Sequence, residues 1–372
     1  MRIIGLNYGL HDQSIAIIEN NEIILSHEME RETRIKKNYI FHKAVNHEIF
    51  FSESNRVLYE RFLKETKPDD VIAIAGFADT SNSLDTKIHT MINYKKIDLG
   101  DTIDSWRNFN NYIIKDKVYH ITHHFAHVAY AYFTNPFDEF DVLSYDSTGR
   151  WYSAIFLNSE DNVIVDLSYE LNLGSLWLFS SWHLRGMEHV DDAGILMGAA
   201  AYGEVNLEVY DFLKTFIKKR VIDPMRPGWG SIQGKSQEEK MGVFSDFFTD
   251  ANKLNKGNDR YKFYFDYCHT LQKVSEETVM ELMKPLQKSK NLCTVGGCAL
   301  NGYINMKLHD LYDEVYTPPA CHDAGLSLGV ALHANWKLNK NKKIKNKNIA
   351  YLGKEYSVTE ELVKQLCMNT NN

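Results

Sequence analysis

The chain has 372 residues, 44% of them hydrophobic and 24% charged, with a formal net charge of −7. This is the composition of a soluble globular protein too long for one ordinary core, so two or three subdomains are expected. The acidic balance argues against a general nucleic-acid or membrane-surface binder, and no apolar run reaches the ~18 residues of a membrane span.

The N-terminus lacks the charged-then-apolar layout of a signal peptide and runs directly into a strand, so it reads as the true start of the fold. Five cysteines (Cys268, Cys293, Cys298, Cys321 and Cys367) are odd in number and lack CxxC spacing, a pattern of reduced thiols. A cytoplasmic location is expected.

In chain order, RIIGLNYGLHDQSIAIIENNEIILSHEME reads as three strands, the last two joined by an Asn20-Asn21 turn. The segment DVLSYDSTGRWYSAIFLNSEDNVIVDLSYE repeats this plan, with Asn7 aligned to Asp146 and Ser14 to Ser153 at an equal offset of 139 residues. Helical material is expected after each copy, at 40–66 and 123–134, then at roughly 177–216 and 267–289. Two αβ halves, each opening on a hairpin with a polar turn, describe the duplicated fold of actin, sugar kinases and the 70-kDa chaperones. The competing reading is an α/β protein with two unrelated hairpins. In the duplicated fold the two turns face each other and grip nucleotide phosphates with backbone N–H groups and small side chains. This places Asn7 and the Ser147-Thr148-Gly149 turn at the phosphates.

The helix begun by ITHHFAHVAYAYF is apolar except for three histidines at its start. His123 and His127 are four residues apart and share a face, with His124 about 100° around. Two imidazoles on one face seed a metal site or are two satisfied core histidines. Further along, Trp177, Phe179 and Trp182 read as core or as the wall of a substrate pocket. GILMGAAAYGE (194–204) carries Gly198 and Gly203 and suits a close backbone crossing, a flexible lid or an ordinary helix end.

In NLCTVGGCALNGYINMKL (291–308) a strand ends at Gly296-Gly297 and a helix is expected from Ala299 or Leu300. Glycines there let the backbone approach a ligand, as the wall of a nucleoside pocket would. In DEVYTPPACHDAGLSLGVAL (313–332), Asp323 opens an apolar helix. It is either an N-cap or a carboxylate completing a ligand set with His123 and His127. His124 and His322 read as neighbours of that set or as structural residues. The Lys/Asn-rich tract that follows reads as a solvated linker, since no aromatics interleave its lysines.

Seven stretches occur in one order: His11-Asp12-Gln13-Ser14, ERETRIKKN (30–38), HHFAH (123–127), YDSTG (145–149), LMGAAAYG (196–203), GGCALN (296–301) and HDAGLSLG (322–329). Together, over nearly residues 1–355, they resemble the antibiotic- and nodulation-type O-carbamoyltransferases, whose N-terminal domain is similar to the tRNA threonylcarbamoyl-transfer protein. The resemblance implies an ASKHA-type (actin-like, ribonuclease H-like) fold with two αβ halves around a nucleotide cleft, here 1–140 and 141–335. It implies ATP use, a divalent metal (commonly iron, with zinc or magnesium as alternatives), and carbamoyl transfer from carbamoyl-adenylate to an acceptor hydroxyl.

Carried over by residue, His123, His127 and Asp323 look like metal ligands with Asp146 as a fourth neighbour. His11 falls at a catalytic position, and Gly296, Gly297 and Asn301 match the adenosine side of the pocket. Arg31, Arg34 and Lys37 in the ERETRIKKN run, together with His189 and Asp191, are candidates for contacting phosphate or acceptor. The chain departs from the family at His322, where a small residue is usual, and at Ala201, where a proline is usual. Residues 336–350 are the linker. Residues 351–372 resemble the start of the domain that makes carbamoyl-adenylate from carbamoyl phosphate and ATP, so a separate adenylate-forming domain or protein is an expected partner. The acceptor is a hydroxyl-bearing small molecule, and a homodimer is the default assembly. The rival reading is an ASKHA-fold nucleotide binder or small-molecule kinase, which works with Mg²⁺ on carboxylates and not with a histidine pair.

Overall fold

The computed structural model describes residues 1–7, 11–34, 53–67, 69–76, 92–93, 118–146, 154–158, 163–167, 171, 173–186, 192–218, 247–248, 259–340, 344 and 349. Two mixed sheets carry the fold. In the first, β1 (Arg2–Asn7) pairs antiparallel with β2 (Ser14–Glu19), which pairs antiparallel with β3 (Glu22–Glu28). The β2–β3 turn is the expected Asn20-Asn21, and both residues are left-handed, with φ of 52° and 65°. That is the geometry a two-residue hairpin requires and asparagine tolerates. On the other side of β1 lie β4 (Val71–Gly76) and β6 (Val118–Thr122), both parallel to it, and the two-residue edge strand β5 (Ile92–Asn93). The sheet order is β3-β2-β1-β4-β6-β5.

The second sheet has β7 (Asp141–Tyr145) flanked by antiparallel β8 (Ala154–Asn158) and then β9 (Val163–Asp166). Parallel β10 (Asn291–Val295) and β11 (Glu314–Tyr316) lie on the other side of β7, giving the order β11-β10-β7-β8-β9. The two sheets share one plan: a three-strand antiparallel unit extended by parallel strands beside its first strand. The duplication reaches the register. Arg2 faces Glu19 and Leu6 faces Ile15; 139 residues later Asp141 faces Asn158 and Tyr145 faces Ala154. This is the duplicated actin-like, ASKHA-type α/β architecture.

The helices differ from expectation in detail. Before the first long crossover lie α1 (Glu30–Thr33) and α2 (Glu53–Glu65); the rest of the expected 40–66 helix lies outside the described residues. α3 (His123–Thr134) starts where β6 ends. The helical material expected at roughly 177–216 comprises three helices: α4 (Leu173–Arg185), α5 (Ala193–Ala199) and α6 (Leu207–Lys218). One break follows Gly186 at φ 104°; the other is a tight turn at Ala200–Tyr202 that leads into extended Gly203. A Cβ on Gly203 would collide with the Phe265 carbonyl, so this stretch is a close backbone crossing. The crossing is with α7 (Asp259–Leu286), longer than the expected 267–289 segment. Trp177 and Phe179 are buried in the second core, and the Trp177 indole N–H donates to Ser275 Oγ at 3.0 Å.

The helix expected from Ala299 begins later, as α8 (Gly302–Leu308). Gly297–Leu300 form a 3₁₀ turn, and extended Asn301 caps α8 by accepting the Ile304 N–H at 3.1 Å. The last helix, α9 (Leu326–Asn339), follows a second 3₁₀ turn at Asp323–Gly325. By chain position α9 belongs to the second half, yet it packs in the core of the first sheet: Leu326, Leu328, Val330 and Leu332 cluster with Ile3, Ile18 and Ala73. A Cβ on Gly5 would strike the Ser327 carbonyl, and one on Gly329 would strike the Ala126 carbonyl. These two contacts press α9 against β1 and α3 together. They set the turn at Asp323 over the start of α3.

Candidate metal centre

α3 is buried along most of its length between the two cores, and its N-terminus opens where β1, β7 and the entry to α9 converge. His123 and His127 lie one turn apart, their rings edge to face with centroids 4.7 Å from each other. Asp146, directly after β7, and Asp323 complete the group. His123 Nε2 lies 3.6 Å from Asp146 Oδ2 and 3.4 Å from Asp323 Oδ1; His127 Nε2 lies 3.4 and 3.3 Å from the same two oxygens. One ligand atom from each of the four comes within 4.8 Å of the others. Asp323 is not an N-cap: it is the first residue of its 3₁₀ turn, which His322 caps, and the N-cap of α9 is Gly325.

Charge supports this grouping. Burial alone would raise both carboxyl groups, but the two imidazoles hold Asp146 well below the usual carboxylate range. Asp323 is brought down to about 2, against its burial, by His123, His127 and His11. Conversely, burial would lower His127, yet its contacts with Asp146 and Asp323 raise it to about 9. Two buried carboxylates side by side demand positive charge, from protonated histidines or from a cation.

The residues fit a divalent ion. Both ring nitrogens of His127 are buried without a hydrogen bond. The four imidazole–carboxylate separations, 3.3–3.6 Å, exceed ordinary hydrogen bonds and match neighbouring ligands about 2.0–2.2 Å from one centre. Two nitrogens and two oxygens suit iron or zinc better than magnesium, which prefers oxygen throughout.

His124 turns away and meets Ser144 Oγ at 2.8 Å, tying α3 to β7. The Gly297 N–H donates to Asp146 Oδ2 at 2.8 Å, and Gly296, at φ 93°, lies so close to β7 that a Cβ would enter the Tyr145 carbonyl. The glycine pair thus brings the end of β10 against the Asp146 carboxylate. Asn301, besides capping α8, donates to Gln272 Oε1 at 2.8 Å. Asn7 is fully buried; its amide nitrogen donates to the carbonyls of Asp12 and Asp323, both at 3.0 Å. His11 enters from the first hairpin, its Nδ1 2.8 Å from Asp12 Oδ2 and its Nε2 3.9 Å from Asp323 Oδ2. Burial would lower His11, but Asp12, Asp323 and Asp146 raise it to about 9.

Arg31 and Arg34 are exposed, and Arg31 Nε donates to Glu28 Oε2 at 3.2 Å. Lys37, Ser147, Thr148, Gly149, His189 and Asp191 lie outside the described residues, as do most of 336–350 and all of 351–372.

Sequence reasoning gave no role to Asp12 or Glu28, which with His322 form a second cluster having ligand atoms within 4.8 Å of one another. Burial, then Asp12, raise the Glu28 carboxyl. The signal was present in the hairpin: Ser14 pairs with Glu28, so the end of β3 had to lie beside the His11-Asp12 turn.

A family model described as "Carbamoyltransferase N-terminus" matches residues 2–332. Among curated relatives, an uncharacterized protein of Synechocystis sp. is 25% identical over 96% of this chain and 61% of its own length. The nodulation protein NolO of Bradyrhizobium diazoefficiens is 26% identical over 59% of this chain and 39% of its own length. The match therefore spans less than two thirds of these relatives' own length. Among solved structures, the activator of the 2-hydroxyisocaproyl-CoA dehydratase from Clostridium difficile is 14% identical, with a TM-score of 0.46, over 93% of this chain and all of that one. Among the described residues, no helix is long and apolar enough to cross a membrane.

Proposed function

Since the chain belongs to the carbamoyltransferase N-terminus family, we propose that it carries the transfer half of an ATP-dependent O-carbamoyltransferase, moving a carbamoyl group from carbamoyl-adenylate to the hydroxyl of a small molecule. The observation that carries this reading is the convergence of His123, His127, Asp146 and Asp323 beside the half-buried His11, at one junction of the two halves. A phosphoryl-transferring relative of this fold needs carboxylates and Mg²⁺ and has no use for a buried histidine pair.

An iron or other divalent ion held by these four residues would supply a Lewis acid for the carbamoyl carbonyl. The protein supplies the rest. Backbone at Gly296-Gly297 lines the adenosine side, and the ends of β1 and β7 flank the phosphate. In the transfer the acceptor oxygen bonds to the carbamoyl carbon, and the bond from that carbon to the phosphate oxygen breaks. AMP leaves with the electron pair, and the acceptor's proton passes to Nε2 of His11. His11 must be neutral to receive it. The carboxylates of Asp12, Asp323 and Asp146 raise its affinity for a proton, and a cation held by the last two would lower that affinity again. Carbamoyl-adenylate would come from a separate adenylate-forming domain or protein acting on carbamoyl phosphate and ATP.

The test supplies preformed ¹⁴C-labelled carbamoyl-adenylate to purified, iron- or zinc-loaded protein with a panel of sugars, amino sugars and nucleosides. Label is expected in at least one acceptor, at a rate lowered at least about 100-fold in His11→Ala. No transfer to any acceptor, or full transfer by His11→Ala, overturns the assignment.

A further inference from the structure

Resting on that reading of His11, we infer that Asp12 is a positioning residue, fixing the rotamer and tautomer in which His11 meets the acceptor. The turn that follows β1 presents two adjacent side chains that ordinarily diverge, yet here they are joined: Asp12 Oδ2 lies 2.8 Å from His11 Nδ1. The join needs unusual backbone. Asp12 is left-handed, at φ 53°, and only 6% exposed. Its carbonyl is held by the Asn7 amide, which also holds the carbonyl of Asp323. One buried side chain therefore locks the residue that orients His11 to the residue His11 faces.

The chemistry follows from the contact. An ionised carboxylate is an acceptor only, so the Asp12 contact places a hydrogen on Nδ1 of His11 and leaves the lone pair of the neutral ring on Nε2. Nε2 is the atom directed toward Asp323, at 3.9 Å. The remote nitrogen is thereby the one able to take a proton from an incoming hydroxyl. Glu28 and His322 face Asp12 from the end of β3 and the entry to α9, closing the other side of its carboxyl group.

Asp12→Asn is the informative variant. Asparagine tolerates the left-handed backbone as well as any residue but glycine. Its amide can donate to Nδ1 and force the hydrogen onto Nε2, the tautomer that cannot act as base. Two readouts are needed. With ¹⁵N-histidine labelling of zinc-loaded protein, and His11 assigned by comparison with His11→Ala, the neutral ring is expected as the Nδ1–H tautomer. In Asp12→Asn it is expected as Nε2–H. With preformed carbamoyl-adenylate and water or ethylene glycol as minimal acceptors, Asp12→Asn is expected to lower kcat at least about 100-fold with KM and zinc content unchanged. Asp12→Glu, which keeps the carboxylate, should restore part of that rate.

An Asp12→Asn protein with wild-type kcat and tautomer, alongside an inactive His11→Ala, overturns the positioning role and leaves the transferase reading standing. An active His11→Ala overturns the reading beneath it. Loss of zinc or of folding in Asp12→Asn also overturns the inference, because Asp12 would then serve the scaffold.

Discussion

The two hairpins that open the halves of this protein are the same object built twice. Their strands pair in one register at an offset of 139 residues, Arg2–Glu19 against Asp141–Asn158 and Leu6–Ile15 against Tyr145–Ala154. They differ in what stands at the end of the first strand. In the first half it is Asn7, whose amide holds two carbonyls. In the second it is Asp146, whose carboxylate faces His123 and His127. Duplication provides two equivalent places at one cleft, and a single change from amide to carboxylate makes one of them a brace and the other a charged group facing two imidazoles. Fold and chemistry are thus separable at these two positions.

The comparison is broken most strongly by exchanging the two. Asn7→Asp points carboxylate oxygens at the Asp12 and Asp323 carbonyls and buries a further negative charge beside Asp323; a cost of about 3–5 kcal/mol is expected in urea unfolding. Asp146→Asn should fold well, since its side-chain oxygen can still accept the Gly297 N–H. It should, however, weaken divalent-ion binding by more than about 100-fold, read by competition with a chelating dye. Equal effects of the two exchanges on stability and on ion binding would refute the division of labour.

Gly296→Ala tests the joint that brings β10 against Asp146. At φ 93° and against the Tyr145 carbonyl, a Cβ strains the backbone and pushes the strand end away. About 2–4 kcal/mol of stability should be lost by thermal unfolding.

The smallest expected effect is on pH dependence. His127 rises from 6.5 to about 9 in the folded, metal-free chain. Its stabilising contribution is therefore complete below about pH 6.5 and disappears as pH climbs through about 9. Asp323 falls from 3.8 to about 2, so its contribution is complete above about pH 3.8 and is lost as pH drops through about 2. Tm of metal-free protein should decline by several degrees between pH 6.5 and 9. A metal-loaded sample, whose imidazoles are already neutral, should stay level. Parallel profiles for the two samples would contradict the shared site.

Much of this was legible in local sequence. The strands announced themselves as short apolar runs, Asn20-Asn21 fixed one hairpin, and the equal offset of Asn7–Ser14 and Asp146–Ser153 exposed the duplication. The four-residue spacing of His123 and His127 placed both rings on one face of α3. What stayed hidden depends on contacts between distant residues. Nothing near residue 326 says that α9 will lie on β1; that follows from Gly5 meeting Ser327 and Gly329 meeting Ala126. The Asp12–Glu28–His322 cluster likewise needs the end of β3 to reach the turn before α9. The late start of α8 came from Asn301, whose capping role competes with the helix it was expected to continue.

The central claim is that His123, His127, Asp146 and Asp323 together hold one divalent ion. Its most direct test is isothermal titration of metal-free protein with zinc, followed by the same titration of the His123→Ala, His127→Ala double variant. The account predicts one ion per wild-type chain, bound with release of protons, and no comparable binding in a folded double variant. Unchanged stoichiometry and affinity in the double variant, or no binding to the wild type, would contradict it.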